Sequence, residues 1–218
     1  MKRTVDFICA LLGIIILLPL LVVIALVVKL TSPGPIIFKQ KRVGIHRSHF
    51  EMYKFRTMRD DTPRDVPTHL LSEAGSSVTP VGRFLRKTSL DELPQMFNIL
   101  KGDMSIVGPR PALWNQYDLI DARERCGAND IRPGLTGWAQ VNGRDELTIA
   151  EKAALDGYYV RNRGLGLDMK CLATTIVAVA KADGVVGGVR RAAGSTLGEA
   201  PVSSEGHGAD VRDRTGQA

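Results

Sequence analysis

Three absences narrow what this chain can be. Cysteine is scarce: Cys9, Cys126 and Cys171 are odd in number, far apart and contain no Cys-x-x-Cys pair. That excludes a disulfide or zinc framework and points to a reducing compartment. No G-x-x-x-x-G-K-[ST] phosphate loop and no Asp-x-Asp metal motif of common nucleotide-sugar glycosyltransferases occurs in the 218 residues. Nor is there a helix-turn-helix, zinc or aromatic RNP pattern. The net charge of +6 and pI near 9.4 are therefore read as suiting anionic lipid or phosphorylated small molecules, with no nucleic acid. His46 and His49 have an H-x-x-H spacing with no third ligand type nearby, and are read as surface histidines in a basic loop.

What is present begins with an apolar, uncharged run from Phe7 to Val28, containing Pro19. No small-residue cleavage pattern follows it, so the segment is expected to stay attached. At about 1.5 Å per residue the run is just long enough to cross a bilayer core of roughly 30 Å. Two features argue against a straight crossing. Pro19 removes a backbone donor near the middle and kinks a helix. The flanks also carry the same sign, Lys2 and Arg3 before the run, then Lys29, Lys39, Lys41 and Arg42 after it, so the positive-inside rule puts both ends on the cytoplasmic side. The expectation is a re-entrant helix that breaks at Pro19 and returns to the leaflet it entered. A plain crossing with a tolerated proline is the alternative.

Beyond the turn Thr31-Ser-Pro-Gly-Pro35, alternating apolar and basic residues over Ile36–Lys41 and His49–Met58 predict a small β-hairpin. Asp60 to Ser77 reads as a polar loop. Helices are predicted over Val81–Arg86, Leu93–Leu100, Pro111–Cys126, Leu147–Arg161 and Met169–Lys181. The last of these is apolar on most sides, and suits either core or an interfacial amphipathic helix. From Gly187 onward glycine, alanine, serine and charge dominate, too little apolar area to fold.

The chemistry concentrates in Arg86 to Pro111. Asp91 and Glu92 are adjacent carboxylates between Arg86 and Arg110, the latter held by Pro109 and Pro111. Ser89-Leu-Asp-Glu92 also fits the S-x-x-E capping box, so on the dyad alone a helix cap is the simpler reading. The surroundings favour chemistry. Two guanidiniums suited to phosphate, one on a stiff Pro–Arg–Pro backbone, and a glycine at 108 that permits close approach arrange the carboxylates for attack on phosphorus. An ionised carboxylate can form an acyl phosphate, splitting one displacement into two. Magnesium would neutralise a diphosphate and sit among carboxylate oxygens and water. Glycosidase chemistry fits worse, because neighbouring residues on one turn do not flank a sugar.

These residues, with Ser32-Pro-Gly-Pro35, Phe38-Lys-Gln-Lys-Arg42, Tyr53-Lys-Phe-Arg-Thr-Met58, Asn98 to Pro111 and Arg132-Pro-Gly-Leu-Thr-Gly-Trp-Ala-Gln-Val-Asn-Gly-Arg144, resemble the bacterial sugar transferase family of monotopic polyprenol-phosphate phosphoglycosyltransferases. The resemblance covers about residues 1–187. It implies transfer of a sugar 1-phosphate from a UDP-sugar to undecaprenyl phosphate, releasing UMP, as the first membrane step of capsule, exopolysaccharide or O-antigen assembly. By position, Asp91 would be the nucleophile and Glu92 its partner, both near Mg2+. Arg86, Arg110 and Arg144 would bind phosphate, and Asp168 would be a further acidic site. Ala112-Leu-Trp-Asn-Gln-Tyr117 is similar to capsule-type members, which favour N-acetylated hexosamines or 6-deoxyhexosamines. Leu18 stands where many small members carry serine before the proline.

The fold class expected is α+β, mainly helical. It comprises a re-entrant membrane helix over residues 1–30, a cytoplasmic domain over 31–186 with a small β-hairpin and interfacial helices, and a disordered tail over 187–218. The bacterial inner membrane, its lipid and glycosyltransferases of the same pathway are the implied surroundings. A non-catalytic membrane-tethered adaptor and a hydrolase using Asp91 are the competing readings.

Overall fold

Residues 2–60, 62, 77–143 and 146–180 are described by the computed structural model. Lys2–Thr31 form one helix, α1, with Pro19 inside it. Pro19 has no N–H to offer the carbonyl of Ile15, but the helix continues through it, so the expected break is not a gap in helical structure. Its buried residues are Asp6, Ala10, Ile14, Leu21, Ile24 and Val28, spaced by three, four or seven. That spacing puts them on one stripe along the whole helix. Most of the remaining apolar side chains of α1 are exposed, Ile16 at 72% among them. One helix is thus long and apolar enough to cross a membrane, by length and composition.

Strands β1 (Ile37–Val43) and β2 (His49–Phe55) form the expected antiparallel hairpin, with Ile37 opposite Phe55 and Val43 opposite His49. A one-turn 3-10 segment, Ile45–Arg47, closes it. Helix α2 (Pro80–Lys87) starts with Thr79, whose hydroxyl accepts from the Gly82 amide at 2.9 Å, and with proline in the first turn. Gly82 has to be glycine, since a Cβ there would lie 2.0 Å from the Thr57 carbonyl oxygen. This contact lays the start of α2 across the end of β2. Next come a 3-10 turn over Leu90–Glu92 and helix α3 (Gln95–Lys101), which ends at Gly102 with φ +94.

The second sheet was not expected from the sequence. β3 (Ser105–Val107) and β4 (Gly134–Thr136) pair in parallel. Each has three residues, too short for a period-2 signal and bounded by glycine or proline. The helix predicted from Pro111 begins only at Tyr117, as α4 (Tyr117–Glu124). The preceding residues instead extend the hairpin: Ala112 accepts from the Val43 amide at 3.0 Å, and Leu113 bridges to Arg42. Three helices complete the described chain: α5 (Trp138–Val141), α6 (Ile149–Asn162) and α7 (Leu165–Ala180). α6 opens with a capping box between Thr148 and Glu151.

Four apolar clusters hold these elements. α1 supplies Leu21, Ile24 and Val28 to the cluster with Phe55 and Leu85, and Ala10 to that with Met52, Ile99 and Met104. Val43, Ala112, Leu119 and Ile120 form the third, and Val107, Tyr159 and Cys171 the fourth. At about 1.5–3 kcal/mol per large buried side chain, removing α1 would strip three of five buried members from the first cluster and one of four from the second. α7 buries only Cys171 and exposes Leu165, Met169, Ile176 and Val177. The Asp60–Ser77 loop and the 187–218 tail fall almost wholly outside the described residues.

Candidate active site

The capping-box reading of Ser89 and Glu92 does not hold. Ser89 is left-handed, φ 57, and makes no side-chain cap; Pro94 delays α3 to Gln95. Released from capping, the Glu92 carboxylate turns to two cations. Its Oε1 accepts from Lys54 Nζ at 2.7 Å and from an Arg110 guanidinium nitrogen at 2.9 Å. Asp91, on the same turn, is 7% exposed.

Each cation around the dyad is positioned by a different element. Lys54 lies on β2, whose register is set by Asn98 of α3. The Asn98 side chain accepts from the Tyr53 amide at 3.0 Å and donates to the Glu51 carbonyl at 2.7 Å. Asn98 is fully buried, so the strand and the helix after the dyad are tied by two hydrogen bonds shielded from water. Arg86, on α2, donates through Nε to Thr57 Oγ1 at 2.8 Å, one consequence of α2 crossing the end of β2. Arg110 sits between two prolines, and its side chain remains 41% exposed. It is the most open of the cations that pair with Glu92. Gly108 makes its close approach to backbone: a Cβ there would lie 2.5 Å from the Arg132 carbonyl oxygen.

The two carboxyls are driven apart electrostatically. For Asp91, burial raises the pKa above the ordinary aspartate value; Glu92 adds to the rise, while Lys54, Arg86 and Arg110 oppose it. For Glu92, burial also disfavours charge, but the field and hydrogen bonds of Arg110 and Lys54 prevail and hold it well below the carboxylate range. Burial lowers the Lys54 pKa against the pull of Glu92. Glu92 is thus fixed by hydrogen bonds to two cations, while Asp91 lies in the field of the same cations without those hydrogen bonds among the described residues, a division that suits a support and a reacting group.

Of the residues singled out by sequence, Asp91, Glu92, Arg86 and Arg110 come together. Asp168 lies elsewhere: it pairs with Lys2 and accepts from the Tyr159 hydroxyl at 2.7 Å, joining α7 to the start of α1. Burial, then the Asp168 carboxylate, pushes the Tyr159 phenol above its ordinary range. Arg144 lies outside the described residues. Lys54, Thr57 and Asn98 were not singled out as site residues, although all three fall within the sequence blocks quoted above. The signal for Lys54 was a lone basic residue at an inward position of a strand.

Residues 1–182 match the family model described as "Bacterial sugar transferase". Among similar proteins, "Uncharacterized sugar transferase EpsL" of Bacillus subtilis (strain 168) is 43% identical over 159 residues, 73% of this chain and 77% of that protein. The Escherichia coli (strain K12) "UDP-glucose:undecaprenyl-phosphate glucose-1-phosphate transferase" is 42% identical over 81% of this chain and 39% of its own length. The Aeromonas hydrophila "UDP-N-acetylgalactosamine-undecaprenyl-phosphate N-acetylgalactosaminephosphotransferase" is 38% identical over 80% of this chain and 42% of its own. The chain spans less than half the length of the latter two.

Proposed function

This chain belongs to the bacterial sugar transferase family, and from that premise we propose that it moves a sugar 1-phosphate from a UDP-sugar to undecaprenyl phosphate, releasing UMP. The observation that carries this reading is the buried Asp91 beside a Glu92 already held by Lys54 and Arg110. Asp91 attacks the phosphorus attached to the sugar; the bond to the UMP phosphate breaks and UMP leaves with those electrons. An oxygen of undecaprenyl phosphate then attacks the same phosphorus and displaces Asp91, leaving a lipid-linked diphosphosugar. Arg110, partly open to solvent, faces the donor diphosphate, and Arg86 lies within the same field. Planar guanidiniums suit phosphate oxygens, and Glu92 keeps Arg110 oriented before substrate arrives.

Magnesium belongs to the same proposal, with Asp91 and the Glu92 oxygen not engaged by Lys54 and Arg110 as the carboxylates that would hold it. It commonly uses one or two carboxylates, substrate phosphates and waters, and Asp91 and Glu92 supply two adjacent carboxylates. When bound there it would neutralise charge on the diphosphate.

The membrane arrangement belongs to the same proposal. At the start of α1, Lys2 pairs with Asp168 and Arg3 donates to the Ile99 and Leu100 carbonyls. Asp6 accepts from Ser105 Oγ at 2.7 Å and from the Ile106 amide at 3.2 Å. At its end, Arg56 donates to the Ser32 carbonyl at 2.7 Å. Both ends are bonded to one domain, while only 17% of the apolar window is buried. A helix of that kind dips into one leaflet with its outer face in lipid, and its termini stay on the cytoplasmic face of the inner membrane. The exposed apolar residues of α7 rest on the same surface.

The capsule-type phrase at 112–117 favours an N-acetylated amino sugar, in line with the relative named for N-acetylgalactosamine and unlike the one named for glucose. UMP formation by detergent-extracted protein with magnesium decides both points, using UDP-glucose, UDP-galactose and UDP-N-acetylgalactosamine with and without undecaprenyl phosphate. The expected result is sustained UMP release with one donor, dependent on the lipid phosphate. Sustained release without lipid identifies a hydrolase, and no release with any donor favours the adaptor reading.

A further inference from the structure

Prolines at 109 and 111 leave the loop that carries Arg110 short of amide donors, yet its carbonyls need partners. Four consecutive carbonyls find them outside the loop. Pro109 accepts from the Gly134 amide at 2.8 Å and Ala112 from the Val43 amide at 3.0 Å. Between them, Arg110 accepts from Arg123 at 2.8 Å and Pro111 from Arg42 at 2.9 Å, both side-chain donors.

Arg123, on α4, is 5% exposed, and it is held by Asp156 of α6, itself 1% exposed, through two contacts of 2.8 and 2.7 Å. Arg42 is braced on its own strand, giving two nitrogens to the Gln40 side-chain oxygen. Burying a guanidinium and a carboxylate is expensive, and apolar residues of similar volume commonly serve stability as well. The retained fork does something an apolar side chain cannot: one arm grips Asp156 while the other fixes the carbonyl of the residue whose side chain reaches Glu92.

We propose that Arg123, anchored by Asp156 and assisted by Arg42, is a positioning residue that holds the Pro109–Pro111 loop so that the Arg110 guanidinium meets the donor diphosphate. This rests on the phosphotransfer reading above and assigns that site a support reaching from Asp156 on α6. It follows that the effect of Arg123 on turnover passes through Arg110.

A double-mutant cycle tests this, with kcat/KM for UMP release from the preferred UDP-sugar as the readout and melting temperature measured alongside. Arg123→Lys keeps a charge for Asp156 but loses the planar fork. In the otherwise natural protein it is expected to lower kcat/KM by about 10- to 100-fold, the scale of a small misplacement of a reacting group. The KM for the UDP-sugar should rise while that for undecaprenyl phosphate stays near its natural value. In an Arg110→Ala background the same change is expected to cost less than about 2-fold, because the group it positions is gone. Equal losses in both backgrounds, or no loss in the natural one, overturn the proposal. Should Arg123→Lys fail to fold, Arg42→Lys is carried through the same cycle with the same criteria. A natural protein that releases no UMP overturns the functional reading and this inference together; an active one with additive losses overturns the inference alone.

Discussion

At Asp91 burial opposes ionisation more strongly than Lys54, Arg86 and Arg110 favour it; at Glu92 the balance is reversed. Linkage then gives the two residues opposite signs. A carboxyl whose folded pKa is raised adds stability only below its unfolded value, about 3.9 for aspartate, and loses it as pH rises through the folded value. Asp91→Asn should therefore leave the melting temperature at pH 7 unchanged or higher while abolishing transfer. A carboxyl whose folded pKa is depressed adds stability above its unfolded value, about 4.3 for glutamate, and loses it as pH falls through the folded one. Glu92→Gln removes the negative charge facing Lys54 and Arg110 and should cost on the order of 2 kcal/mol at pH 7, a deficit that shrinks in acid below about pH 4 as the natural Glu92 loses its advantage. Thermal denaturation of the two variants and the natural protein from about pH 2 to pH 8 checks both signs. A destabilised Asp91→Asn beside an unaffected Glu92→Gln would contradict the charge assignment.

Elements with a strong local signal were legible in the sequence. Alternating residues gave away the β1–β2 hairpin, and α1, α2, α3, α6 and α7 follow from apolar periodicity and turn residues. The dyad and Arg110 stood out because carboxylates, arginines and prolines cluster over a short span. What was hidden depends on contacts distant in sequence. The β3–β4 pairing joins segments of three residues each, and Lys54 meets Glu92 across 38 positions. The bond from Arg123 to Arg110 needs α4 to start later than helix propensity alone implies. The clamp at Lys2, Arg3 and Asp6 was visible only as flanking charge, and its partners lie 96 to 166 positions away. It yields the prediction for α1. In a background free of native cysteine, Thr4→Cys should resist an impermeant thiol reagent added to intact cells and react after lysis. Adding Lys2→Ala and Arg3→Ala should raise labelling from outside. External labelling of the Thr4→Cys protein with the clamp intact would mean that α1 crosses the bilayer.

Across the whole molecule, one long helix with an exposed apolar face is bonded at both ends to a domain whose buried Asp91 and half-buried Glu92 are ringed by cations from β2, α2 and the Pro109–Pro111 loop. On the proposed reading, this arrangement would bring a nucleotide donor and a lipid phosphate to Asp91, and a covalent phosphosugar on that carboxylate is what separates a two-step transfer from direct attack by the lipid phosphate. The direct measurement is mass spectrometry of the protein after incubation with magnesium and its UDP-sugar, with undecaprenyl phosphate left out. The account predicts UMP in amounts no greater than the protein present, and a sugar phosphate on the peptide carrying Asp91 that disappears when the lipid phosphate is added. An unmodified Asp91, with UMP formed only once the lipid is present, would contradict it.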